Sequence, residues 1–176
     1  MIQEFQSSVE RAFAPLAHVY GFRPLKYEAD PNGYEVVLGN GTTALRVRLE
    51  PREGLFVSLL KPHDGIIPTR DLDDRMRDPI NGFDVDDLIQ ARLPTFRVPS
   101  TQPLAGKSLT RTLEAYATFL MDNARDVLSG DFSVFAVLAQ LVAERIRSLE
   151  SKGHSIGPDS RAFLSAMSRI EQQGHA

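Results

Sequence analysis

Residues 34–60 read YEVVLGNGTTALRVRLEPREGLFVSLL, and how that stretch divides decides the fold. Thr43, Leu45, Val47 and Leu49 alternate with Ala44, Arg46, Arg48 and Glu50, the two-residue period of a strand with one buried and one wet face. Residues 34–39 and 55–60 are shorter apolar runs on either side of 43–50, and 25–29 supplies a fourth segment upstream. The joints Asp30-Pro31-Asn32-Gly33, Gly39-Asn40-Gly41 and Pro51-Arg52-Glu53-Gly54 hold residues that accept the positive or fixed φ of tight turns. Short turns enforce antiparallel neighbours, so a four-stranded antiparallel meander is predicted. Asn40-Gly41 is the most specific signal, because a type I′ turn needs positive φ at both central residues.

Outward from the meander, Phe5, Val9, Ala12, Phe13, Leu16, Ala17 and Tyr20 form an apolar stripe at helical spacing, with Pro15 placed to end or kink that helix. Between residues 61 and 106 periodicity disappears and prolines accumulate, which predicts a loop-rich connector with one short helix near residues 84–93. Beyond it, Leu109, Leu113, Tyr116, Leu120, Ala124 and Val127 make one helical stripe. Phe132, Phe135, Leu138, Val142, Ile146 and Leu149 make a second. Gly130 suits the left-handed close of the first helix and Asp131 the opening of the second, an antiparallel helical hairpin. A last short helix starts at Pro158, with its tail fraying from Gln172. The expected architecture is one α+β domain over 1–176: helix plus sheet over 1–60, connector over 61–106, helical part over 107–171.

Composition narrows the function. The chain has 176 residues, 42% of them hydrophobic, enough for a real core. It lacks cysteine, which removes disulfides, thiol nucleophiles and Cys-ligated metals. A net charge of −3 speaks against a general nucleic-acid binder. MIQEFQSSVER has acids where a signal peptide is basic, and no apolar run is long enough for a membrane span, so a cytoplasmic protein without membrane contact is expected.

The motifs that suggest catalysis have simpler readings. Gly39-Asn40-Gly41-Thr42-Thr43-Ala44 matches a dinucleotide-binding string, but a strand follows it where phosphate binding needs a helix. Residues 101–108, TQPLAGKS, end like a phosphate loop, yet begin with Thr101 in place of glycine and lose an amide at Pro103; a helix start capped by Ser108 explains them. His63-Asp64 resembles the paired ligands of metal phosphohydrolases, but His18, His154 and His175 are not spaced to join it. No serine sits in a nucleophile elbow. Arg46, Arg48 and Lys26 read as a solvated sheet face.

The remaining feature is residues 71–87, DLDDRMRDPINGFDVDD, with seven aspartates against Arg75 and Arg77. Asp84 suits a helix cap, and Asp86 and Asp87 the first turn, where the helix dipole favours negative charge. Asp71, Asp73, Asp74 and Asp78 are a surplus that capping does not require, and an acidic surface steers a basic partner.

Residues 116–145, YATFLMDNARDVLSGDFSVFAVLAQLVAER, together with the meander, resemble small uncharacterised bacterial α+β proteins that pair an N-terminal antiparallel sheet with a C-terminal helical hairpin, some of them immunity-like. The resemblance implies fold and carries no catalytic residue. The expected function is therefore non-enzymatic and cofactor-free: an immunity-like inhibitor or adaptor docking a protein with a basic surface through Asp71, Asp73, Asp74, Asp78, Asp86 and Asp87. The alternatives are a metal-dependent hydrolase using His63, Asp64 and the aspartates, and a secretion-type chaperone. Oligomeric state is not encoded in any motif.

Overall fold

A computed structural model of the chain describes residues 2–68, 71–72, 79–99 and 106–173. The order is α1 (Ile2–Ala12), α2 (Ala14–Tyr20), β1 (Arg23–Asp30), β2 (Gly33–Gly39), β3 (Ala44–Glu50), β4 (Gly54–Leu60), β5 (Gly82–Asp84), α3 (Val85–Arg92), α4 (Gly106–Asn123), α5 (Arg125–Leu128), α6 (Val134–Ser151) and α7 (Pro158–Gln173). The protein is α+β, and the expected meander is present, extended by one strand. The sheet is antiparallel throughout, in the order β1-β2-β3-β4-β5.

Strand register sorts the side chains onto two faces. Tyr34, Val36 and Leu38, Leu45, Val47 and Leu49, Leu55, Val57 and Leu59, and Phe83 share the face that joins the main core. That core is one cluster running from Phe5 to Met167, with α1, α3 and α6 touching strands directly. The first helix breaks at Phe13 ahead of Pro15, as expected, while Phe5, Val9, Ala12, Phe13 and Leu16 stay buried on one stripe across the break.

Three connections differ in detail from the sequence reading. The β2–β3 hairpin is not a type I′ turn: Gly41 has φ 92°, but Asn40 is not at positive φ. Asn40 builds the loop with its side chain, its Oδ1 accepting from the N–H groups of Thr42 (3.1 Å) and Thr43 (2.9 Å). Its Nδ2 donates to the carbonyls of Tyr20 (3.1 Å) and Leu128 (2.9 Å), which ties the ends of α2 and α5 to the sheet. The paired positive φ angles of a type I′ turn occur instead at Asp64 (51°) and Gly65 (78°), where His63 and Ile66 exchange backbone hydrogen bonds of 2.9 and 2.8 Å.

Gly130 closes α5, a single turn interposed after Ala124, and Asp131 Oδ1 accepts from Ser133 N–H (2.9 Å) before α6. With that turn between them, α4 packs on α1, α2 and α3, while α6 packs on α3 and α7. Ser108 does not cap α4, because that helix already begins at Gly106. The preceding part of the phosphate-loop string, residues 101–105, lies outside the described residues.

Candidate functional site

The outer face of the sheet is not the solvated surface that alternation suggests. Register lines up Lys26, Val37, Arg46, Ser58 and Asp84 across the five strands. Arg46 is only 12% exposed: its guanidinium donates to Asp71 Oδ1 (3.0 Å) and the Pro68 carbonyl (2.9 Å) and lies 3.7 Å from Glu35. Arg48 reaches Glu50 (2.6 Å), Asp30 (3.0 Å) and Glu35 (3.6 Å). The arginines expected to face water therefore pin the connector and the turns to the sheet. Beside them Ile67 packs on Val37, Ala44 and Leu60, a small second apolar cluster.

The connector returns to the sheet as β5, paired to β4 through Ser58↔Asp84, Leu59↔Phe83 and Leu60↔Gly82. Asn81, fully buried, precedes it. Its carbonyl accepts from Lys61 N–H (2.7 Å), its N–H donates to the Asp71 carbonyl (2.6 Å), and its Oδ1 lies 2.6 Å from His63 Nε2. His63 is thus turned inward onto Asn81, while Asp64 sits on an exposed hairpin tip. Among the described residues no three metal-ligating side chains form a group. No helix among them is long and apolar enough to cross a membrane.

Asp73, Asp74 and Asp78 lie outside the described residues. The other four aspartates of the stretch each have an internal partner. Asp71 pairs with Arg46. Asp87, 6% exposed, pairs with Arg145 of α6 (2.6 Å) and fastens α3 to that helix. Asp84 occupies the cap position of α3, but its side chain does not cap; as the last residue of β5 it projects across the sheet and accepts from Ser58 Oγ (2.8 Å). Asp86 accepts from the Tyr116 hydroxyl at 3.0 and 3.1 Å. At the far end of α3, Arg92 binds the Asn123 carbonyl and Asp126, whose carboxyl it holds below the usual range.

Among the described residues, two of these four carboxylates meet a cation and two do not. Burial pushes Asp84 up to about 6, against the Ser58 hydrogen bond, with Asp71, Asp87 and Asp86 adding repulsion. Burial likewise raises Asp86, opposed by Tyr116 and helped by Asp87, and it raises the Tyr116 hydroxyl beside that carboxylate. Asp71 is raised by burial even though Arg46 pulls the other way.

No match is found among family models, curated proteins or solved structures. The site rests on its own geometry.

Asp86 and Tyr116 line an open cleft of about 310 Å³ between the β3–β4 turn (Glu53, Gly54, Leu55), α3 (Ile89), residues 96–99 and α4 (Thr112). Leu55, Ile89, Phe96 and Val98 supply its apolar lining, and Glu53, Thr112, Asp86 and Tyr116 its polar lining. Arg97 also borders it, with its guanidinium turned onto the Phe96 carbonyl (2.9 Å). Sequence reading points to Asp86 but misses Tyr116, which its position in the α4 stripe marks only as core. A buried phenol needs a hydrogen-bond partner, and that requirement is the available signal.

The raised Asp84 has a consequence for stability. The folded chain holds this proton more tightly than the unfolded chain, so the contribution is full below about pH 4 and is lost as pH rises through about 6. Asp84→Asn, which keeps an acceptor for Ser58, is expected to match the parent at pH 4. At pH 7.5 it should be more stable by on the order of 1 kcal/mol, a figure reduced for the solvated part of the group. Urea unfolding at the two pH values checks this; an equal difference at both would remove Asp84 as the cause.

Proposed function

We propose that this chain is a non-catalytic protein-interaction module, an adaptor or inhibitor, that takes a basic side chain of its partner into the Asp86 cleft. The observation that carries the reading is an exposed carboxylate, Asp86, whose partner among the described residues is a neutral donor, the hydroxyl of the buried Tyr116, in the lining of an open cleft that mixes apolar and polar side chains. An arginine or lysine side chain has the matching form: an aliphatic stem for Leu55, Ile89 and Val98, and a cationic head for Asp86. Because Asp86 is exposed and meets no cation among the described residues, an incoming cation finds a carboxylate that is accessible and not already neutralised. Glu53 at the lip and the neighbouring Asp84 favour a basic partner at longer range.

This reading moves the docking role from the whole aspartate stretch to one residue. Asp71 and Asp87 act as struts, each held by an arginine.

A titration with an arginine peptide, followed by NMR, tests it. Saturable shifts are expected at Asp86, Tyr116 and Val98, with binding weakening as pH falls and Asp86 gains its proton. The Asp86→Asn variant keeps the Tyr116 bond and the shape, and is expected to bind about fivefold more weakly, the upper end of what a solvent-exposed ion pair contributes. Equal shifts with the matching citrulline peptide would overturn the proposal.

A further inference from the structure

Strand β1 is one edge of the sheet, eight residues long, and every residue in it is exposed. An edge strand offers a row of unpaired backbone groups. It also presents Leu25, 44% exposed, and Tyr27, 39% exposed, whose hydroxyl donates to Glu10 of α1. Around Tyr27 the charges run Lys26-Tyr27-Glu28. Both charged side chains are about half exposed, and among the described residues they pair with each other and, for Lys26, with Glu35 at 3.6 Å.

We propose that β1 pairs antiparallel with β1 of a second copy of this chain, centred on Tyr27. A two-fold axis there sets Lys26 opposite the partner's Glu28 and Glu28 opposite the partner's Lys26, on either side of the Tyr27 pair. Opposite charges face each other twice, an arrangement that stabilises cross-strand pairs, whereas shifting the centre onto Lys26 or Glu28 sets like charges against each other. The sequence thus specifies its own register. Pro24, which has no N–H, and the bulge between Pro24 and Lys26 limit the pairing to the segment beyond them.

Association of this kind stops at two. The opposite edge, β5, is three residues long, and the N–H groups of Asn81 and Gly82 there already donate to the Asp71 carbonyl (2.6 and 3.2 Å). With one edge used and the other closed, the contact is isologous and does not propagate into a fibre. A partner of different sequence would need a lysine followed two residues later by a glutamate in the same chain direction, and a second copy supplies that order automatically.

Sedimentation of the intact chain, with two single charge reversals and their mixture, tests the pairing. The parent is expected to dimerise at micromolar concentration. Lys26→Glu and Glu28→Lys are each expected to dimerise at least about tenfold more weakly, since each sets like charges opposite one another twice. Mixed in equal amounts, the two variants are expected to form a heterodimer, visible by native mass spectrometry, because the two acidic positions of one copy then face the two lysines of the other. A parent that stays monomeric, variants that dimerise like the parent, or a folded mixture that stays monomeric would each overturn the proposal. Circular dichroism of the separate variants establishes that they are folded.

Discussion

Replacing Phe119 by alanine is expected to destabilise the protein by about 4 kcal/mol, a large share of the stability of a domain of this size. Phe119 lies on α4, is fully buried, and packs its ring, tilted and 5.4 Å away, against that of Phe96, which lines the Asp86 cleft. Removing the ring loses its transfer energy and leaves a cavity that α4 cannot close, because that helix is held on α1, α2 and α3 at once. Urea denaturation measures the loss. Val137, 58% exposed on α6, serves as the contrast: its truncation is expected to change stability by less than about 0.5 kcal/mol. If the two variants unfold alike, the core has been placed on the wrong stripe.

Gly33→Ala is expected to have the next largest effect, about 3 kcal/mol or more, through a different mechanism. Gly33 opens β2, and its φ is not in the left-handed region, so conformational freedom is not the reason for glycine there. Space is the reason. A Cβ at this position would stand 2.2 Å from the carbonyl oxygen of Leu49 and 3.1 Å from its carbon, and both are backbone atoms of the neighbouring strand. Relief requires β2 and β3 to part at the end where Tyr34 faces Leu49. Gly41 is the converse case, with φ 92° and nothing within 4 Å of a Cβ, so alanine there meets only backbone strain. A broadened or lowered thermal transition for Gly33→Ala, but only a modest shift for Gly41→Ala, distinguishes steric exclusion from strain.

Legibility from sequence follows range along the chain. Strands β1 to β4, the break before Pro15 and the start of α7 at Pro158 are readable, because each is set by residues within a turn or a strand of one another. β5 is not: the three residues Gly82, Phe83 and Asp84 are too few to display a period, and glycine and aspartate are poor strand formers. The site is harder still. Asp86 meets Tyr116 thirty residues later and Asp87 meets Arg145 fifty-eight residues later, separations that leave no local pattern. Local chemistry assigns Asp84 to a helix cap because it sees the helix that follows; the strand pairing that turns its side chain to Ser58 is a tertiary fact. Likewise, alternation correctly sets Arg46 and Arg48 on the face opposite the core, but it carries no information about whether a later segment folds over that face.

The core that runs from Phe5 to Met167 also draws on both ends of the chain, which matters while the chain is being made. The four long strands are complete once Leu60 has been made, and α1 and α2 have emerged before them, but α3, α4 and α6 come later. Until they do, Val57 and Leu59 have a sheet to join without the helices that later cover them. A sheet that formed before those helices were made would have an uncovered apolar side, the condition under which chaperones hold chains and under which neighbouring nascent chains aggregate.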